Sequence, residues 1–181
     1  MLYFYQIIYV LASVSLLIPI YLVNHPGSLN LAEKIGFCSS QTVVIVLYAG
    51  LFLMPFLLSL ILLNGANYLQ HQELNSDRIK SVRSAAVDQF PIAIGYVFIA
   101  LSINNWYTLA ITLLVLSIVC YYTPAYFNLC LYLYGYRYYY VTTTDNIQIL
   151  VSSRRAIGIG DHPSFMLLRR INSMTFIDNE K

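Results

Sequence analysis

The sequence predicts an all-α polytopic membrane protein: four transmembrane helices followed by a small cytoplasmic tail that contains a β-hairpin. Three observations lead there. Residues 1–32 carry no Asp, Glu, Lys or Arg, and neither do the stretches between Lys34 and Glu73 and between Asp88 and Arg137. A hydrocarbon core roughly 30 Å thick takes about 20 apolar helical residues, so these stretches have room for one, one and two spans. Hydrophobic residues make up 59% of the chain and charged residues 10%, against roughly 45–50% and about 25% in soluble domains. Of the 10 basic residues, only Lys34 lies in the first connection, and the rest lie in the second connection and from Arg137 onward.

The first span is expected over residues 3–23. No Lys or Arg precedes its apolar run and no small-x-small cleavage site follows, so it reads as a retained helix and not as a secretory signal. Pro19 is expected to bend its far end or mark its last turn. A second span covers residues 42–63, a third residues 90–104 and a fourth residues 106–127. Asn104-Asn105-Trp106 forms a tight interfacial turn between the last two, where Trp is favoured. In the connection over residues 64–89, Ser76 is placed to cap a helix on which Ile79, Val82, Ala86 and Phe90 recur every three or four residues, with Arg78, Lys80 and Arg83 off that stripe. This basic cluster reads first as a topology anchor on anionic lipid. Pro91 and Pro124 are the expected hinge positions, since each interrupts a stretch that otherwise reads as continuous helix.

The transmembrane domain is thus assigned residues 1–134 and the tail residues 135–181. Tyr126, Tyr132, Tyr134, Tyr136, Tyr138, Tyr139 and Tyr140 mark the passage between them. Tyrosine joins an apolar ring to a polar tip, which suits a membrane interface; the alternative is an aromatic docking surface on which Tyr138 and Tyr140 meet a partner. The run Tyr138 to Thr144 is β-branched and aromatic, Asp145-Asn146 punctuates it, and Ile147, Ile149 and Val151 then alternate with Gln148, Leu150 and Ser152. Two strands around a two-residue turn follow from that pattern. Gly158 to Pro163 reads as a loop, and Met174-Thr175-Phe176-Ile177 supplies a further strand. So short a tail is near the lower limit for an independent core, and is expected to lean on other subunits or on the second connection.

Orientation follows from the positive-inside rule, which puts the second connection, the tail and both termini in the cytoplasm. Proton-coupled transport is not expected, because no Asp, Glu, Lys, Arg or His falls within the assigned spans. Gln6 and Asn128 are candidates for hydrogen bonds between helices. Catalysis is not expected either. His25, His71 and His162 fall in three different connections, and Cys38, Cys120 and Cys130 lack metal-ligand spacing. Asp161-His162 beside Ser164 has triad residue types without triad geometry, and Gly158-x-Gly160 lacks the third glycine of a nucleotide loop. No cofactor is implied. Two arginine pairs remain, Arg154-Arg155 and Arg169-Arg170. On one small sheet they are expected either to be solvated strand ends or to form a basic rim facing lipid headgroups or an acidic partner. Without an aromatic nucleic-acid platform they give no direct nucleic-acid site.

The tail opens Gly135-Tyr136-Arg137-Tyr138-Tyr139-Tyr140-Val141, continues Ile149-Leu150-Val151-Ser152-Ser153-Arg154-Arg155, and closes on Arg170-Ile171 and Phe176-Ile177-Asp178. With the predicted topology, this wording resembles KwaA, the membrane subunit family of the bacterial Kiwa anti-phage system. The resemblance implies a non-enzymatic homo-oligomer in the bacterial inner membrane that senses infection at the envelope and recruits or controls a soluble DNA-binding cytoplasmic partner through its tail. No catalytic residue is carried over. The alternatives are an oligomeric pore-forming or membrane-disrupting effector, and an accessory scaffold subunit of a membrane complex.

Overall fold

A computed structural model of the chain describes residues 2–25, 41–123, 127–158 and 163–179. Helices α1 (Leu2–Val14) and α2 (Leu17–Asn24) come first, then α3 (Gln41–Gly65) with a 3-10 turn, Ala66–Tyr68. Strand β1 (His71–Leu74), a second 3-10 turn (Ser76–Arg78) and β2 (Ile79–Ser84) lead into α4 (Ala86–Ser102) and α5 (Trp106–Tyr122). The short α6 (Leu129–Leu133) precedes β3 (Arg137–Thr143), β4 (Gln148–Ser153), β5 (Phe165–Arg170) and β6 (Thr175–Asp178).

This corrects the all-α, four-span expectation in two ways. Strands from the second connection and the tail form one six-stranded sheet, ordered β1-β5-β6-β4-β3-β2. Two helical segments among the described residues, Tyr3–Asn24 and Ile45–Tyr68, are long and apolar enough to cross a membrane. The other two apolar helices, α4 and α5, have 17 residues each. At 1.5 Å per residue, that is about 25 Å against a hydrocarbon core of roughly 30 Å. Counting uncharged residues overstated the membrane segment between Asp88 and Arg137, because its last part turns through α6 and enters the sheet as β3.

The first helical segment breaks where the chemistry of Pro19 requires. Proline has no N–H to give the carbonyl of Ser15, and that carbonyl instead accepts from Ile18 N at 3.0 Å in a tighter turn between α1 and α2. α1 packs on α3 and α5, and α2 packs on α4. Gln6 Nε2 donates to the Tyr121 carbonyl at 3.3 Å, a bond between α1 and α5. Asn105 stops the turn after α4 and starts α5, its Oδ1 accepting from Thr108 N at 2.8 Å and from Thr108 Oγ1 at 2.9 Å.

The helix expected after Ser76 is replaced by β2, whose Val82 pairs with Val141 in antiparallel register on β3. β1 pairs with β5, so the second connection supplies both edges of the sheet. Its two strands are joined by Asn75 and the turn Ser76–Arg78. A flat sheet of six strands would set its edges about 24 Å apart, whereas five residue steps reach at most about 18 Å. The sheet therefore has to curl, bringing its edge strands together at the end where they are linked.

Curling gives the sheet two buried faces. Ile79, Tyr139, Val141, Ile149, Val151, Phe165, Leu168 and Phe176 fill the concave interior. Tyr138, Leu150 and Ile177 point the other way and join Tyr9, Leu62 and Leu131 in the core shared with the helices. Period-two alternation sends neighbouring residues to opposite faces, so strands covered on both sides read as nearly continuous apolar runs. The alternation seen in β4 marked two interiors, not an interior and a solvent face; Leu150, Ser152 and Ser153 are all buried.

The turn between β3 and β4 is also longer than the expected two residues. Asn146 N donates to Thr143 O, and Thr143 N to Ile147 O, with Asn146 at φ 59°. This is a three-residue loop ending in a left-handed residue, a conformation asparagine tolerates better than most. At the end of α6, Tyr136 N donates to Leu131 O and Gly135 N to Tyr132 O, with Gly135 at φ 83°. Such a Schellman closure ends the helix and aims the chain into β3. Gly135→Ala forces a Cβ into the left-handed region, and a loss of about 1–2 kcal/mol is expected in thermal unfolding of the purified protein.

Candidate functional site: the curled sheet and its joint with the helices

The joint between sheet and helices is built around one phenol. Tyr138 OH donates to the Asn128 carbonyl at 3.0 Å and accepts from Asn128 N at 3.0 Å. Its oxygen also lies 3.3 Å from Tyr9 OH on α1. Asn128 in turn caps α6, its Oδ1 accepting from Cys130 N at 2.9 Å. Tyr138 is thus fully buried: its ring is sealed inside the molecule, edge-on to Phe127 at 5.2 Å. The bond to another helix expected of Asn128 comes from its backbone, which meets Tyr9 on α1, while its side-chain Oδ1 caps α6.

Tyr140, two residues on, is half-buried on the same face, with the Arg83 guanidinium 5.1 Å above its ring. Burial pushes its phenol up from the ordinary value, the neighbouring Asp88 carboxylate adds to the shift, and Arg83 opposes it. Arg83 also pairs with Asp88 at 3.4 Å on the surface, an arrangement worth at most about 1 kcal/mol.

The arginine pairs do not form a rim. Ser152, Ile177 and Arg169 lie side by side across β4, β6 and β5, and Val151, Phe176 and Arg170 form the next row. Aligned residues share a face, so Arg169 is on the helix side and Arg170 on the concave side. Arg169 Nη1 donates to the Leu69 carbonyl at 3.0 Å and Arg170 Nε to the Asn172 carbonyl at 3.1 Å. Arg154 is exposed with its guanidinium 4.8 Å over the Tyr136 ring. Burial pushes the Tyr136 phenol up, and Arg154 draws it back. Arg155 turns inward, 3.0 Å from the Asp178 carboxylate, and also donates to the Ser164 carbonyl at 3.1 Å.

Sequence reasoning missed Asp178, which is 1% exposed and accepts from both Arg155 and Ser153. The available signal was an acid directly behind Phe176-Ile177, in a chain where Arg154-Arg155 follows two serines. Pro91 lies in the first half of α4, with the helix continuous on both sides of it. Pro124, Cys38 and the Asp161-His162 pair lie outside the described residues. Among the described residues, no group of three His, Cys, Asp or Glu side chains is placed to hold a metal. His25 stacks on Tyr21 at 4.7 Å, and His71 Nε2 meets the Met166 carbonyl at 2.6 Å.

Where the linked edge strands approach, the concave interior opens in a cleft of about 290 Å³. Glu73, Arg78 and Asp145 ring it, and Ile149, Leu168 and Phe176 form its floor.

The family model described as Anti-phage protein KwaA matches residues 5–177, which takes in the helices, the joint and the sheet alike. The chain belongs to the KwaA family. It is therefore an anti-phage defence protein, and the resemblance read from the tail is borne out over almost its whole length. No curated protein and no solved structure matches this KwaA-family chain.

Proposed function

We propose that this KwaA-family protein works at the bacterial inner membrane, with its apolar helices in lipid and its curled sheet in the cytoplasm, where the sheet recruits or controls a soluble DNA-binding partner. The observation that carries this reading is the segregation of charge. Every described Asp, Glu, Lys and Arg lies in the strands, in the segments that link them, or, for Asp88, in the first turn of α4. The helices expose Leu53, Leu57, Leu60, Ile61, Ile111, Leu114 and Ile118 instead. Exposed apolar surface on this scale is costly in water and ordinary in hydrocarbon. Along the span window of α3, 17% of residues are buried inside the molecule, which leaves the rest to face lipid. Basic residues concentrate on the sheet side, as the positive-inside rule requires of a cytoplasmic face.

The charged cleft at the mouth of the sheet is the surface this reading assigns to the partner. Arg154→Cys, probed in intact cells with a membrane-impermeant maleimide, is expected to label only after permeabilisation. In the same membranes, Arg78→Glu is expected to lower co-purification of the soluble partner about tenfold, with membrane retention unchanged. Labelling of intact cells would overturn the orientation. Undiminished co-purification would overturn the role of the cleft.

A further inference from the structure

The six-stranded sheet is curled but not closed. β1 and β2 are its two edges, and each is paired on one side, β1 with β5 and β2 with β3. Among the described residues no strand pairs with the other side of β2, although Asn75 and the turn Ser76–Arg78 tie its start to the end of β1. An open edge is a row of backbone donors and acceptors on which a further extended segment can pair.

The register shows which groups of β2 are on offer. Ala85 N donates to Tyr138 O at 2.9 Å, and Arg83 stands opposite Tyr140. In an antiparallel ladder, hydrogen-bonded pairs alternate with pairs whose N–H and C=O point away. Ala85 and Arg83 therefore turn these groups to β3, while Val82 and Ser84 turn theirs outward. None of the four outward groups has a hydrogen-bond partner among the described residues.

The side chains along this edge describe its occupant. Val82 packs on the concave core and is only half-buried, so a residue set beside it on that face extends the core when it is apolar. Arg83 lies on the opposite face and is exposed; its pair with Asp88 at 3.4 Å is a surface contact that an incoming carboxylate can replace. Lys80, whose Nζ donates to Asn146 Oδ1 at 2.7 Å, is a second exposed positive charge. These charges disfavour a second copy of the chain. Pairing Val82 with Ser84 of another β2 sets the two Arg83 side chains directly opposite each other, and like charges so placed repel.

We infer that β2 receives an extended segment of the soluble partner in which apolar residues alternate with Asp or Glu, held by four backbone hydrogen bonds to Val82 and Ser84. This rests on the partner recruitment proposed above and gives it a mode of binding: the edge begins directly after Arg78, which lines the cleft already assigned to the partner.

The test uses full-length protein purified in detergent, alone and with the soluble partner retained from native membranes. Amide hydrogen exchange resolved to single residues is expected to slow at least about tenfold at Val82 and Ser84 in the complex, and to change less at Arg83, which is bonded to β3 in both states. Val82→Pro removes one outward N–H at a position where an open edge tolerates proline. It is expected to lower partner retention about fivefold, the factor that one hydrogen bond of ordinary net strength supplies. Arg83→Gln, a change at the surface, is expected to lower it about threefold. Absence of any soluble protein from the parent complex overturns the proposed recruitment and the strand pairing together. A retained partner with Val82 and Ser84 exchanging as in the free protein, or retention undiminished by both variants, overturns the strand pairing alone. So does equal slowing at Val82 and Ser84 in phosphatidylglycerol nanodiscs without the partner, which assigns the edge to lipid.

Discussion

Arg155→Met is expected to destabilise the protein by about 3–5 kcal/mol, the range for removing one partner of a buried ion pair. The reason lies in what the variant leaves behind. Asp178 Oδ2 receives Arg155 Nη2 at 3.0 Å, Arg155 Nε at 3.1 Å and the Ser153 hydroxyl at 2.7 Å. Asp178 is shut away from water while the arginine side chain is 29% exposed, so the guanidinium shields a carboxylate that cannot solvate itself. Methionine keeps much of the packing over Phe165, whose ring now lies 5.1 Å from the guanidinium carbon. It supplies no counter-charge, and it drops the bond to Ser164 that holds the entry to β5. Replacing both charges is expected to be milder, because a neutral amide needs no counter-ion: Arg155→Met with Asp178→Asn should recover at least half of the loss. Denaturant unfolding of the purified protein reads both values. A change within about 1 kcal/mol for Arg155→Met alone would show that the pair is not the clamp between β4 and β6.

How much of this was legible beforehand depends on where each residue finds its hydrogen-bond partner. The β3–β4 hairpin and β6 are local in signal: Tyr138 to Thr144 is β-branched and aromatic, Asp145-Asn146 breaks the run, and Thr175 to Asp178 pairs within the tail. β2 has no such local signature. Ile79 and Val82 are three residues apart, a helical spacing, and they reach one face of the strand because the register shifts between Ile79 and Ser81. Charged side chains suit an edge strand, but the partner that makes Ile79–Ser84 a strand is β3, more than fifty residues further along the chain. Periodicity cannot see across such a distance.

The arginines show the same limit at the level of the site. Their charge was legible and their faces were not, because two consecutive extended residues point to opposite sides and each side has its own neighbours. Arg155 found Asp178, Arg169 found the Leu69 carbonyl, and Arg154 stayed outside over Tyr136. A basic rim requires all four to face one way, which the pleat forbids. Membrane character was read from the absence of charge, and composition alone did not reveal that the uncharged run past Leu109 ends by packing against a sheet.

Tyr138→Phe is expected to cost about 2–4 kcal/mol although it removes a single oxygen. The phenol accepts from Asn128 N and donates to Asn128 O, each at 3.0 Å, in a site that excludes water. The Asn128 carbonyl retains Leu131 N at 3.1 Å, so it keeps an acceptor role inside α6. The Asn128 N–H loses its 3.0 Å acceptor and falls back on the Tyr9 oxygen, and a buried donor left poorly paired costs up to about 1–3 kcal/mol beyond the bonds lost. Tyr9 OH, 3.3 Å away, loses a neighbour as well. Because Tyr9 stands on α1 and Tyr138 on β3, the loss falls on a polar link between a helix and the centre of the sheet. Tyr9→Phe leaves the two bonds between Tyr138 and Asn128 in place and is expected to cost less than half as much, and the double variant should cost less than the sum of the two, since the pair shares one network. Limited proteolysis in detergent provides the second readout. In Tyr138→Phe the sheet is expected to be cut faster while the helices remain protected, because the two layers are still packed but no longer pinned. Parent-like unfolding together with parent-like cleavage would mean that the apolar contacts of Leu150, Ile171 and Ile177 hold the joint without help from the phenol.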